Sequence, residues 1–125
     1  MQIMLVDDDS AVRELLTYHL TALGHVVFSV QDGEDAWCLY QYCAEHNTTP
    51  DLVITDYCMP NLDGAGLIVR IREVRPSQAI ILMSATPAKF EMEHPELDTV
   101  TVVEKSCKSI DVAEMLRRFH AKSVA

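Results

Sequence analysis

Several short apolar runs in this chain end in residues that could do chemistry together. Asp7, Asp8 and Asp9 follow the run 2–6, Asp56 follows 52–55, Ser84 follows 79–83, and Lys105 lies just past 100–103. Brought side by side, the Asp7/Asp8 pair and Asp56 would repel one another and push their pKa values upward, and a hard divalent cation with oxygen ligands relieves that repulsion. Mg2+ suits a site of few carboxylates that keeps several waters. Such a site is near neutral and can accept a phosphoryl group, whose oxygens would meet the metal, the Lys105 ammonium and the Ser84 hydroxyl. Asp56, in the central position, would then be the nucleophile.

This chemistry requires a fold that gathers residues far apart in sequence. Apolar runs of strand length alternate with segments of helical period. The run 2–6 stops abruptly at Asp7, as a strand buried on both faces would. Val12, Leu15, Leu16, Leu20 and Leu23 then recur at helical spacing, with Asp9 or Ser10 as N-cap and Gly24 just past the end. A second strand is expected over 25–30, and a second helix after Gln31-Asp32-Gly33 with a stripe of Ala36, Trp37, Tyr40 and Ala44. The third strand is 52–55, and the third helix carries Leu67, Ile68, Ile71 and Val74 and is closed by Pro76. After the fourth strand, 79–83, Pro87 and Pro95 bracket a segment too short and too poorly patterned for more than one or two turns or an irregular loop. The fifth strand, 100–103, leads to a last helix marked by Ile110, Ala113, Leu116 and Phe119, with Arg117, Arg118 and His120 in its C-terminal turn.

Strands alternating with helices imply parallel pairing through right-handed crossovers and a sheet covered on both faces. The expected fold is an α/β, flavodoxin-like, doubly wound five-stranded sheet of order 2-1-3-4-5, with the fourth helix short or irregular. Its switch point lies beyond the carboxyl ends of strands one and three, where Asp7, Asp8 and Asp56 stand.

Composition narrows the partners. The 125 residues fit one domain, spanning 1–125, and 10 Lys+Arg against 19 Asp+Glu give a formal charge of −9. That balance argues against nucleic acid or anionic lipid as the direct partner, and basic partners fit better. With no apolar run of membrane-span length and no signal-peptide pattern, a cytoplasmic protein is expected. Cys38, Cys43, Cys58 and Cys107 show no C-x-x-C spacing and read as reduced, small core hydrophobes; the histidines are scattered without ligand spacing. Trp37 with Tyr40 reads as core.

Four stretches together resemble the receiver domain of two-component response regulators: LVDDD (5–9), DYCMPNLDG (56–64), ILMSA (81–85) and VVEK (102–105). The resemblance covers nearly the whole chain, and the nine-residue loop is its specific part. It implies that Asp56 takes a phosphoryl group from a phosphohistidine on a sensor histidine kinase or histidine phosphotransfer protein. It implies Mg2+ held by Asp8, Asp56 and the backbone carbonyl of Cys58, with Asp7 acting through water. Ser84 and Lys105 would contact the phosphoryl group and report it to a face formed by the fourth helix, fifth strand and fifth helix, where a downstream protein target binds. In the family the positions of Cys58 and Thr86 flank the attacking water. Asp7 and Asp8 alone could equally be acids favoured at a helix N-terminus. Asp9 reads as a cap without metal contact.

Two departures bear on signalling. Ser106 follows Lys105 where the family usually has proline, often in a cis bond, and a non-proline cis bond costs about 3 kcal/mol. Val102 stands where the family commonly has an aromatic residue, so rotation of a ring there cannot be the signal, and the signalling face is expected to be remodelled. With no room for an output domain after the last helix, output is expected through protein contact, unless the chain is excised from a larger regulator or hybrid kinase. One alternative is a module that signals without phosphorylation, for example as a homodimer. Another is a Mg2+-dependent phosphohydrolase of the haloacid-dehalogenase kind, with its nucleophile after the first strand. That kind carries D-x-D-x-T/V, whereas here Asp7-x-Asp9 runs into Ser10-Ala11, and no cap domain selects a substrate.

Overall fold

The computed structural model describes residues 1–105 and 111–123. Five parallel strands, β1 (Gln2–Val6), β2 (Val26–Val30), β3 (Leu52–Asp56), β4 (Ile80–Ser84) and β5 (Thr101–Glu104), form one sheet of order β2-β1-β3-β4-β5. The helices α1 (Ser10–Ala22), α2 (Gly33–Glu45), α3 (Gly64–Val74), α4 (Pro87–Glu93) and α5 (Val112–Ser123) cover both faces. The expected flavodoxin-like order is therefore the observed one.

Alternation along the strands divides the core in two, because successive side chains of a strand point to opposite faces. Ile3, Leu5, Leu52, Ile54, Ile81, Met83 and Val103 pack with Leu16 and Leu20 of α1 and Met115 and Leu116 of α5. Met4, Val6, Val53, Ile80, Leu82 and Val102 pack on the other side with residues of α2, α3 and α4. A buried polar strut joins α2 to the β4 entrance: the Tyr40 hydroxyl donates to Gln78 Oε1 at 2.7 Å, and Gln78 Nε2 donates to the Pro50 and Ala79 carbonyls at 3.1 Å.

Caps set the helix boundaries. The Asp9 carboxylate accepts from the Ala11 and Val12 amides, so Asp9 rather than Ser10 caps α1; Asp32 and Asp63 cap α2 and α3 in the same way. Gly24, with φ of +93°, takes the left-handed conformation that ends α1. α4 is a seven-residue helix with Pro87 in its first turn, no side-chain bond from its N-cap Thr86, and a 3-10 turn, Pro95–Leu97, directly after it. That is the short helix the bracketing prolines predict.

Several expectations need correction. β3, β4 and β5 each end one residue later than the apolar runs, because the backbone ladder continues into polar residues. In α2, Cys43 is buried and Ala44 only half-buried; in α3, Val74 is exposed; in α5, Val112 and Met115 are buried and Ala113 is exposed. Cys43 for Ala44 and Val112 for Ala113 are shifts of one helical position about the face, which apolar spacing alone resolves poorly, and Val74 is the last residue of its helix. Cys43 is the one described cysteine that fits the core reading, since Cys38 and Cys58 are exposed. The basic residues of the last turn of α5 are His120 and Lys122, whereas Arg117 pairs with Glu114 one turn earlier. Ser106, Cys107 and Ile110 lie outside the described residues, and among those described every peptide bond is trans. No described helix is long and apolar enough to cross a membrane.

Candidate functional site

Strand parity and register bring the site together. Asp7 continues the Ile3, Leu5 series, Asp56 the Leu52, Ile54 series, and Lys105 the series of Val103; all three fall on the sheet face covered by α1 and α5. Val6 pairs with Thr55, so the next residues, Asp7 just past β1 and Asp56 at the end of β3, stand at one level on adjacent strands. β5 lies two strands from β3, a span of about 10 Å at the usual strand spacing, and only a long side chain crosses it. Lys105 does so: its Nζ lies 2.8 Å from Asp7 Oδ2 and 3.0 Å from Asp56 Oδ2.

Asp7 is fully buried, Asp56 nearly so, and Asp8 exposed; one carboxylate oxygen from each lies within 4.8 Å of the others. Asp7 Oδ1 accepts from the Asp9 amide at 2.9 Å, which fixes the turn into α1. Asp9 itself is occupied as a cap and stands outside the cluster, so the hydrolase alternative lacks its second acid. Cys58 sits in the loop after β3 and lines an open cleft with Asp8, Tyr57, Met59, Pro60 and Asp63. Ser84 ends β4 on the opposite parity; its Oγ accepts from the Thr86 amide at 3.0 Å, and its carbonyl accepts from the Lys105 amide at 2.8 Å. The expected residues Asp7, Asp8, Asp56 and Lys105 thus meet directly, with Ser84 and Cys58 at the edges.

One contributor escaped the reading of the sequence. Arg13, one turn into α1, donates from its Nη1 to the Asp7 carbonyl at 2.6 Å and clamps the backbone that carries the buried acid. No spacing in the sequence marks it, since an arginine in the first turns of a helix is common on any surface.

The electrostatics follow from three carboxylates, two of them bridged by the Lys105 ammonium. Burial pushes the Asp56 carboxyl above its ordinary range, with repulsion from Asp7 and Asp8 adding to this and the Lys105 contact opposing it. For Lys105, burial acts to lower the ammonium, but its bonds to Asp7 and Asp56 outweigh that and hold it above its usual value. An all-oxygen, net-negative, part-buried donor set fits a hard divalent cation. A folded carboxyl that holds its proton more tightly than the unfolded chain stabilises the fold in acid. That contribution is lost as pH rises through the folded pKa. Without divalent cations, the stability of wild type relative to Asp56→Asn should therefore fall as pH climbs from the ordinary carboxylate range toward neutrality. Urea unfolding at a series of pH values reads this out; a flat difference would remove the strain assigned to Asp56.

A doubly wound sheet with a carboxylate cluster and a spanning lysine at its switch point defines a class, and comparison with known proteins identifies it. The response regulator receiver domain model matches residues 3–117, and the chain belongs to that family. The probable transcriptional regulator ycf27 of Cyanophora paradoxa is 36% identical over 121 residues, covering 94% of this chain and 48% of that protein. The chain spans about half or less of the length of such curated relatives. Among solved structures, the receiver domain of the hybrid histidine kinase CckA is 29% identical with a TM-score of 0.71, covering 98% of each chain. A chain of the CheX-CheY-BeF3-Mg+2 complex from Borrelia burgdorferi is 25% identical with a TM-score of 0.82, covering all of this chain and 90% of that one.

Proposed function

We propose that this receiver domain is a phosphorylatable switch in which Asp56 accepts the phosphoryl group. The observation that carries this reading is the Asp56 carboxylate at the end of the central strand, 3.0 Å from the Lys105 ammonium and clustered with Asp7 and Asp8. The donor is a phosphohistidine of a sensor histidine kinase or histidine phosphotransfer protein, and the output is contact with a downstream protein target.

In the forward step an Asp56 oxygen attacks phosphorus while the P–N bond to the donor imidazole breaks; the imidazole nitrogen keeps the electron pair. Hydrolysis reverses the modification, as water attacks phosphorus and the aspartate oxygen leaves with the electron pair, giving free phosphate. Asp8, Asp56 and the Cys58 carbonyl would hold Mg2+, with Asp7 through water, and Mg2+ when bound supplies positive charge to the phosphoryl oxygens. Lys105, which bridges Asp7 and Asp56, would turn its ammonium toward a phosphoryl oxygen as Asp56 loses its charge. Ser84 supplies a hydroxyl from the neighbouring strand, its side chain rotating from the Thr86 amide toward the site.

Incubation with acetyl phosphate and Mg2+, followed by intact mass measurement, tests the reading. One phosphoryl group is expected on wild type and none on Asp56→Asn or in the presence of a chelator. Label that persists in Asp56→Asn would overturn it, and label that vanishes only in Asp7→Asn would favour a hydrolase.

A further inference from the structure

The residue next to the phosphoacceptor reaches the short helix α4. Tyr57 has its backbone fixed on both sides, its amide donating to the Met83 carbonyl at 2.9 Å and its carbonyl accepting from the Gly64 amide at 2.8 Å. Its freedom is in the side chain, which leaves the site loop and lies against α4. The ring meets buried Phe90 edge-on, with centroids 5.0 Å apart, and the hydroxyl lies 3.4 Å from His94 Nε2. Phe90 and His94 pack on each other at 4.7 Å. His94 Nδ1 faces Glu96 Oε1 at 3.3 Å, so the neutral tautomer with its hydrogen on Nδ1 donates there and leaves Nε2 to accept from Tyr57.

His94 is where α4 ends and the 3-10 turn begins: its amide donates to the Phe90 carbonyl, and its own carbonyl accepts from the Leu97 amide. At the other end, α4 is tied to the site by the Thr86 amide on Ser84 Oγ. The helix is thus a lever with a hinge at Ser84 and a fastening at Tyr57. Behind it lies a cavity of about 370 Å³ lined by Phe90, His94, Leu97, Val100 and Val102. Close-packed interiors resist movement, whereas a void beside a ring gives it somewhere to go.

We propose that Tyr57 is a latch that couples the state of Asp56 to α4 through Phe90 and His94, in place of a ring on β5. The inference rests on Asp56 being the phosphoacceptor. When the Ser84 side chain rotates to carry its hydroxyl to a phosphoryl oxygen, Oγ moves off the Thr86 amide, and the Tyr57 contacts decide how far α4 and its turn depart from the cavity wall.

Hydrogen–deuterium exchange over residues 87–97, with and without beryllofluoride and Mg2+, tests this in wild type, Tyr57→Phe and His94→Phe, the second of which keeps a ring against Phe90 and removes the acceptor. Fluorine NMR reports bound beryllofluoride, and unchanged exchange in β1 and β3 reports an intact fold. Both variants should exchange about fivefold faster than wild type over 90–97 before any ligand is added, as expected for losing one hydrogen bond. Bound beryllofluoride should accelerate wild type toward the variants and narrow the gap. Wild-type protection in both unliganded variants overturns the latch, and so does a wild-type segment indifferent to bound beryllofluoride. Failure of wild type to bind beryllofluoride at all would sink the phosphoacceptor reading and the latch with it.

Discussion

Lys105→Met should destabilise the metal-free protein by about 2 kcal/mol at neutral pH. Removing one partner of a fully buried ion pair leaves the other charge uncompensated and typically costs about 3–5 kcal/mol, and the partial exposure of Lys105 brings the expected value below that range. Here two acids lose their counter-charge at once, since the ammonium bonds both Asp7 and Asp56. Millimolar Mg2+ should recover more than half of the loss, because a divalent cation answers the same repulsion. Phosphorylation by acetyl phosphate should slow by about a hundredfold even with Mg2+ present, the usual cost of removing one aimed positive group from a charged transition state. Urea unfolding with and without Mg2+, together with timed mass measurement, checks both parts. Unchanged stability that ignores Mg2+ would mean the three carboxylates are not strained.

Gly64→Ala should be at least as damaging, for a steric reason. A Cβ built at Gly64 would lie 2.4 Å from the Asp56 carbonyl oxygen, 2.9 Å from Tyr57 Cα and 2.8 Å from Leu82 Cδ1. Two of these obstacles are backbone, so the start of α3 and the end of β3 must separate. The expected cost is about 2–3 kcal/mol of stability from overpacking. Because the displaced backbone carries the acceptor, phosphorylation should fall about a hundredfold, as expected for misplacement of a reacting group by about 1 Å. Thermal unfolding and the acetyl phosphate assay would show it. Wild-type behaviour in both would mean that the α3 entrance does not position Asp56.

The fold was legible because its strands are apolar runs that stop at the residues that matter. The run 2–6 ends at Asp7 and the run 52–55 at Asp56, and a parallel order then makes those ends neighbours. The short α4 was equally plain from Pro87 and Pro95. What spacing could not supply was orientation within a turn: Cys43 rather than Ala44, and Met115 rather than Ala113, face the core. Hydrophobic runs also missed the last residue of three strands, since a backbone ladder does not require an apolar side chain. Contacts made by long side chains across elements left no local pattern. Arg13 on the Asp7 carbonyl, Tyr40 on Gln78 and Tyr57 on His94 join residues whose types are common on any helix or loop.

The position of the phosphoryl group is the most direct measurement. After reaction with acetyl phosphate and Mg2+, borohydride reduction converts a phosphorylated aspartate into homoserine, and peptide mass spectrometry locates it. The site described here predicts homoserine at residue 56 and at no other aspartate. Homoserine at residue 7 or 8, with Asp56 untouched, would contradict it.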